Sequence, residues 1–145
     1  MTDLLRQMIA IPSLSGDEKA VADFLQAQLD AEGFAPHRCG NNLWCCHGKG
    51  PVILLDAHID TVKPVTGWTR DPFPPAVEDG RLYGLGSNDD GASVVALIAA
   101  YKQLIDEGQI LKHHVIYERG TGRTVVEYYA IAPHEWILEE LRRRS

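Results

Sequence analysis

No run in this chain reaches the roughly 18 consecutive apolar residues that a membrane span requires. Met1-Thr2-Asp3-Leu4 also lacks the basic segment and apolar core of a secretory leader, so the expected compartment is the cytoplasm. Cysteine is scarce and odd in number, with Cys39, Cys45 and Cys46 the complete set. Adjacent Cys45 and Cys46 are poorly placed to pair with each other, and no CxxC pair with downstream partners exists to hold zinc; buried thiols on a strand are expected instead. The absence of G-x-S-x-G argues against a serine hydrolase. Gly84-Leu85-Gly86 has Asp89 where a dinucleotide fingerprint needs its third glycine, and that charge would repel phosphate. Positive charge is in short supply too: the formal net charge is −6, which argues against nucleic acid or an anionic membrane surface as partner. The one basic run, Arg142-Arg143-Arg144, follows Glu139-Glu140 on a predicted helix, whose C-terminus it complements.

What is present reads as one globular domain over residues 1–145, since 145 residues with 45% apolar and 23% charged side chains suffice for a single core. Leu4 to Ile9 has helical spacing and is ended by Pro12. Ser15-Gly16-Asp17-Glu18 reads as a capping box opening a second helix, with Val21, Phe24, Leu25 and Leu29 on its apolar face and Gly33 as its stop. Leu43 to Cys46 and Val52 to Ala57 read as strands after Gly- and Asn-rich turns. Lys63 to Pro75, rich in Pro, Gly, Thr and Trp, reads as a substrate-contacting loop or a surface cover. Gly91 to Ile105 reads as a helix with Gly108 at its C-cap, and His113 to Tyr117 as a further strand. The pattern predicts an α/β fold with a mixed sheet and helices on both faces.

The chemistry concentrates in two short segments. His58-Ile59-Asp60 follows the apolar run 51–57, which places His58 and Asp60 at a strand's carboxyl end with side chains on one face. Open α/β sheets keep their sites there. An imidazole ligates a transition metal best when its second nitrogen donates to a carboxylate, a role that Asp60 is spaced to fill for His58. Asp89, in Gly84-Leu85-Gly86-Ser87-Asn88-Asp89-Asp90-Gly91, adds a hard oxygen ligand beside a helix N-terminus that favours its ionised form. N-capping alone is the competing reading of Asp89.

Asp56-Ala57-His58-Ile59-Asp60-Thr61-Val62, Gly67-Trp68-Thr69-Arg70-Asp71-Pro72-Phe73 and Asp79 through Asp89 together resemble the amino-terminal half of the M20 metallopeptidases. This co-catalytic zinc family includes acetylornithine deacetylase, succinyl-diaminopimelate desuccinylase, aminoacylase and carboxypeptidase G, and the deacetylase branch looks most similar. The resemblance runs from about Leu4 to about Ile105. It implies a three-layer αβα catalytic domain of zinc-exopeptidase type, a two-zinc site with Co or Mn as alternatives, and metal-assisted hydrolysis of N-acyl amino acids or short peptides by an activated water. His58 and Asp89 would be metal ligands, with Asp89 bridging, and Asp60 would orient His58. The peptide after the bridging Asp is typically cis in the family, which falls at Asp89-Asp90.

Residues 106–145 depart from the family pattern. Where the family has a Glu-Glu pair heading the general base, this chain has Tyr117-Glu118-Arg119-Gly120, which leaves Glu118 as the candidate base. Tyr129 to Ile137 faintly resembles the family's last block, with Ile131 where a metal-binding His would fall. His134 and Glu135 are candidates to refill that site or, after Pro133, a helix start. The chain is also too short to include the family's inserted lid domain. Two functions therefore compete: a metal-dependent amidohydrolase, and a non-catalytic remnant of the fold that binds one metal weakly or acts as an interaction module.

Overall fold

The computed structural model of the chain describes residues 1–48, 52–108 and 114–118. Two helices come first, α1 (Thr2–Ile9) and α2 (Lys19–Ala31), followed by strands β1 (His37–Cys39), β2 (Asn42–His47) and β3 (Val52–Asp56). A small hairpin, β4 (Ala76–Glu78) with β5 (Arg81–Tyr83), precedes a wide turn over Ser87–Gly91, then α3 (Ala92–Asp106) and β6 (His114–Glu118). Among the described residues no helix is long and apolar enough to cross a membrane.

Helix α2 follows the predicted spacing, with Val21, Ala22, Leu25 and Leu29 buried, but the capping box does not form. Glu18 occupies the N-cap position without any side-chain cap bond; its buried carboxylate instead accepts from the Gly16 N–H and from Asn41 Nδ2 at 3.0 Å. Burying each of Val21, Leu25 and Leu29 contributes roughly 1.5–3 kcal/mol, against about 1 kcal/mol for a cap. Packing therefore holds the helix without its box. Past its end, Gly33 takes φ +79, the left-handed conformation that a C-terminal stop favours.

Four strands form one mixed sheet in the order β1-β2-β6-β3. Gly40 and Asn41 turn β1 back on β2, and β6 is antiparallel to β2 and parallel to β3. The β3–β6 register runs from Val52 opposite His114 to Asp56 opposite Glu118, so the carboxyl ends of these two strands lie level. Parallel neighbours need a crossover, which α3 supplies, packing on both.

Strand β2 alternates its burden. Leu43 and Cys45 join Met8 of α1, Val21 and Leu25 of α2, and Val94, Ile98 and Tyr101 of α3 in the main core. Trp44, with Cys39, Cys46 and Leu54, forms a smaller cluster on the opposite face. All three described helices thus share one face of the sheet. The helix expected near Glu139 to Arg144, together with Ile131, His134 and Glu135, lies outside the described residues. Cys45 is a buried thiol, and burial, its largest influence, raises its pKa to about 12, as it raises that of Cys46 to about 11.

The β4–β5 hairpin was not anticipated, although its signal is present. Asp79 and Gly80 both take positive φ, +48 and +73, the demand of a two-residue turn that an Asp-Gly pair meets. Strands of three residues are too short to show an alternating pattern. The preceding loop presents Val62, Val65 and Trp68 to solvent. It is anchored where Leu85 N–H donates to Pro72 O at 3.1 Å and where Arg70 lies 4.0 Å over the Tyr83 ring and pairs with Glu78.

Candidate metal centre

Strand β3 ends at Asp56, yet the in-out alternation continues: Ala57 and Ile59 are buried, and His58 and Asp60 point the other way. What extends the order is a strap formed by residues 13–15. Thr61 N–H donates to Ser13 O at 2.7 Å and Ser15 N–H to Thr61 O at 3.2 Å, while the buried Ser13 hydroxyl donates to Ile59 O at 2.8 Å. Leu14 and Thr61 form a parallel bridge.

On this frame His58 Nδ1 lies 3.1 Å from Asp60 Oδ1 and 3.2 Å from Asp60 O. Both are acceptors, so Nδ1 is placed to donate, with Nε2 directed outward. Nε2 lies 3.1 Å from Asp89 Oδ1. The Asp60 carboxylate is 12% exposed and its second oxygen, Oδ2, accepts from the Ser15 hydroxyl at 2.6 Å. Asp89 is 88% exposed. Burial draws the His58 pKa down, but the Asp60 carbonyl and carboxylate, with Asp89 and Asp90, outweigh it, and the net shift is upward.

Asp89 reaches His58 because of the turn that carries it. Gly86 takes φ +76, and Gly91 N–H closes the turn on Gly86 O at 2.9 Å. Asp89 has extended backbone angles inside the turn, and the Asp89-Asp90 peptide is cis, as the resemblance implies. Helix α3 has no side-chain cap; the polar contact of the Asp89 carboxylate is with His58, not with the helix N-terminus. The turn rests on α1, since a Cβ on Gly91 would stand 2.7 Å from Met8 Cε and 3.0 Å from Leu5 Cδ1.

The structure thus brings His58, Asp60 and Asp89 together beyond the carboxyl end of β3. Glu118 sits at the level carboxyl end of β6, in register with Asp56. The two aspartates flank opposite edges of the imidazole and do not converge on one point, and among the described residues no group of three or more His, Cys, Asp or Glu is arranged to hold a metal. The donor pair still suits zinc: a nitrogen and an oxygen ligand on one tetrahedral zinc lie roughly 3.3 Å apart, close to the observed 3.1 Å. Ser15 and Glu18 were missed as site residues. The local pattern offered them to each other, whereas their partners Asp60 and Asn41 are 45 and 23 residues away.

A mixed α/β sheet thus carries a His-Asp pair and a second Asp beyond its carboxyl edge, and known proteins share this sequence and fold. Residues 54–117 match the profile of Peptidase family M20/M25/M40. Over 110 residues the chain is 42% identical to succinyl-diaminopimelate desuccinylase of Stenotrophomonas maltophilia, covering 71% of this chain and 29% of that protein. Among solved structures it is similar to an M20 family metallo-carboxypeptidase from Sulfolobus solfataricus, with TM-score 0.71, 21% identity, and 83% of this chain and 30% of the other covered. A tripeptidase from Staphylococcus aureus superposes with TM-score 0.65 at 25% identity, covering 83% and 35%. The chain belongs to the M20 family and corresponds to the amino-terminal part of its catalytic domain. It spans about three tenths of the length of the curated relatives it matches.

Proposed function

We propose that this chain carries the amino-terminal half of a zinc-dependent amidohydrolase site acting on N-acylated amino acids or short peptides. The observation that carries the reading is His58 held between Asp60 on Nδ1 and Asp89 on Nε2 beyond the carboxyl end of β3. The desuccinylase relatives favour an N-acyl amino acid, and the peptidase neighbours a short peptide. His58 Nε2 and Asp89 Oδ1 would hold the metal and Asp60 would orient His58. A bound zinc ion supplies Lewis-acid polarisation of the amide carbonyl and activation of water. Glu118, level with the base of the site on β6, would take the proton as general base.

Deacylation of N-succinyl and N-acetyl amino acids, with zinc supplied, tests this. His58→Ala should abolish both zinc binding and hydrolysis. Glu118→Gln should lower the rate by about two to four orders of magnitude while zinc binding survives; full activity in that variant would remove Glu118 from the mechanism. The second reading, a non-catalytic member of the fold, is favoured by the donor count, because two ligands from the described residues fall short of the four of a closed tetrahedral site. It predicts zinc binding of about micromolar order at best and no hydrolysis. Nanomolar affinity lost in His58→Ala would defeat it.

A further inference from the structure

We propose that Ser15 is a positioning residue for the metal centre: its hydroxyl locks the Asp60 carboxylate in the rotation that keeps the His58 proton on Nδ1 and leaves Nε2 bare for a metal. The inference rests on the reading of His58 as a ligand, and carries it one residue further out.

His58 has acceptors on both edges. Asp89 Oδ1 would draw the proton to Nε2, and a protonated Nε2 cannot ligate. Asp60 opposes it with two acceptors, the backbone carbonyl at 3.2 Å and Oδ1 at 3.1 Å. The carbonyl is fixed by the chain, but Oδ1 stays on Nδ1 only while the carboxylate is held from turning. The bond to Oδ2 that does so comes from Ser15 Oγ, at 2.6 Å. Ser15 is itself held from both sides: its N–H donates to Thr61 O, and the next residue, Gly16, donates its N–H to the buried Glu18 carboxylate. Glu18 in turn is fixed by Asn41 Nδ2 at 3.0 Å. A buried acid, a hydroxyl and a second acid therefore stand in series behind the imidazole. Partners of this kind typically contribute 10–100-fold to metal affinity, and Ser15, one group beyond Asp60, is expected near the lower end, roughly tenfold.

The test is 15N NMR of histidine-labelled full-length chain at a fixed alkaline pH, where the imidazole is neutral, with His58→Gln assigning the resonance and zinc affinity measured in parallel by calorimetry. The wild-type ring should be mainly the Nδ1–H tautomer. Ser15→Ala should shift it toward Nε2–H and weaken zinc roughly tenfold, and Ser15→Thr should restore both. Should the alanine variant not fold, Ser15→Cys, near in size but a feeble donor, serves in its place. Ser13→Ala is the control, because it removes the strap's bond to Ile59 without touching Asp60: it should lower the melting temperature and leave the tautomer alone. Wild-type tautomer populations in Ser15→Ala would overturn the proposal even if zinc binds well. No zinc binding by the wild type, with the Ser15 dependence of the tautomer intact, would instead sink the metal reading and leave the positioning role standing.

Discussion

The two segments that meet at His58 are built in opposite ways. Residues 58–61 are clasped by the 13–15 strap, with every polar atom of the Asp60 carboxylate engaged and that side chain 12% exposed. The Ser87–Gly91 turn presents Asp89 88% exposed, with His58 as its partner and tight glycine packing underneath. The first segment fixes direction and the second offers charge. A site divided this way has its buried half assembled in the folded chain, while its charged half stays open to solvent.

The sharpest way to break this contrast is at the point where the halves touch. Gly86 combines φ +76 with a Cβ direction that ends 2.5 Å from Thr61 Cγ2. Gly86→Ala should cost on the order of 2 kcal/mol or more, since a strained backbone conformation and a steric overlap fall on one residue. Urea melts would show it, and a loss below about 0.5 kcal/mol, the range of an ordinary surface change, would mean that the turn and the strap are not rigidly joined.

A second measurement sharpens the electrostatic side. The folded pKa of His58 is raised, so the folded chain holds that proton more tightly than the unfolded chain does. The resulting stability is fully present below the ordinary value of about 6.5 and is lost as pH rises through the raised folded value. Zinc affinity must move the other way, falling as pH drops through that value, because the proton and the metal compete for Nε2. The difference in urea midpoint between the chain and its His58→Gln variant should shrink with rising pH while zinc binding strengthens. A difference that grows with pH would contradict the assigned sign.

The smallest expected effect is the most telling about the open half. Asp89→Asn should change the stability of the metal-free chain by no more than about 0.5 kcal/mol, because an ion pair this exposed is worth little in water. The same variant should bind zinc measurably more weakly in calorimetry. A large loss of stability would show that Asp89 is structural.

Much of this arrangement is legible in the residues themselves. The helical spacing of Val21, Leu25 and Leu29 and of Val94, Ile98 and Tyr101 predicts both long helices, and the spacing of His58, Asp60 and Asp89 predicts their meeting. What escaped prediction is whatever depends on distant competition. The sequence pairs Ser15 with Glu18 three residues on, but its hydroxyl donates to the Asp60 carboxylate, which is brought within 2.6 Å only by folding. Glu18 was diverted in the same way by Asn41. The β4–β5 hairpin was lost for the opposite reason: its turn is written in Asp79-Gly80, but its strands are too short to carry a period.

The strap over residues 13–15 also bears on the order in which the chain acquires its site. Its bonds close loops of 45 to 48 residues, and the His58–Asp89 contact closes one of 31. Contacts so distant along the chain are costly in entropy to form early, so the helices and the β1–β2 turn are expected to be in place before them. In native-state hydrogen exchange the Thr61 amide, bonded at 2.7 Å to Ser13 O, is therefore the reporter for the strap. Its protection should vanish in openings smaller than those that release the α2 amides above Leu25, so that the His58 site comes apart while the core beneath it is still closed.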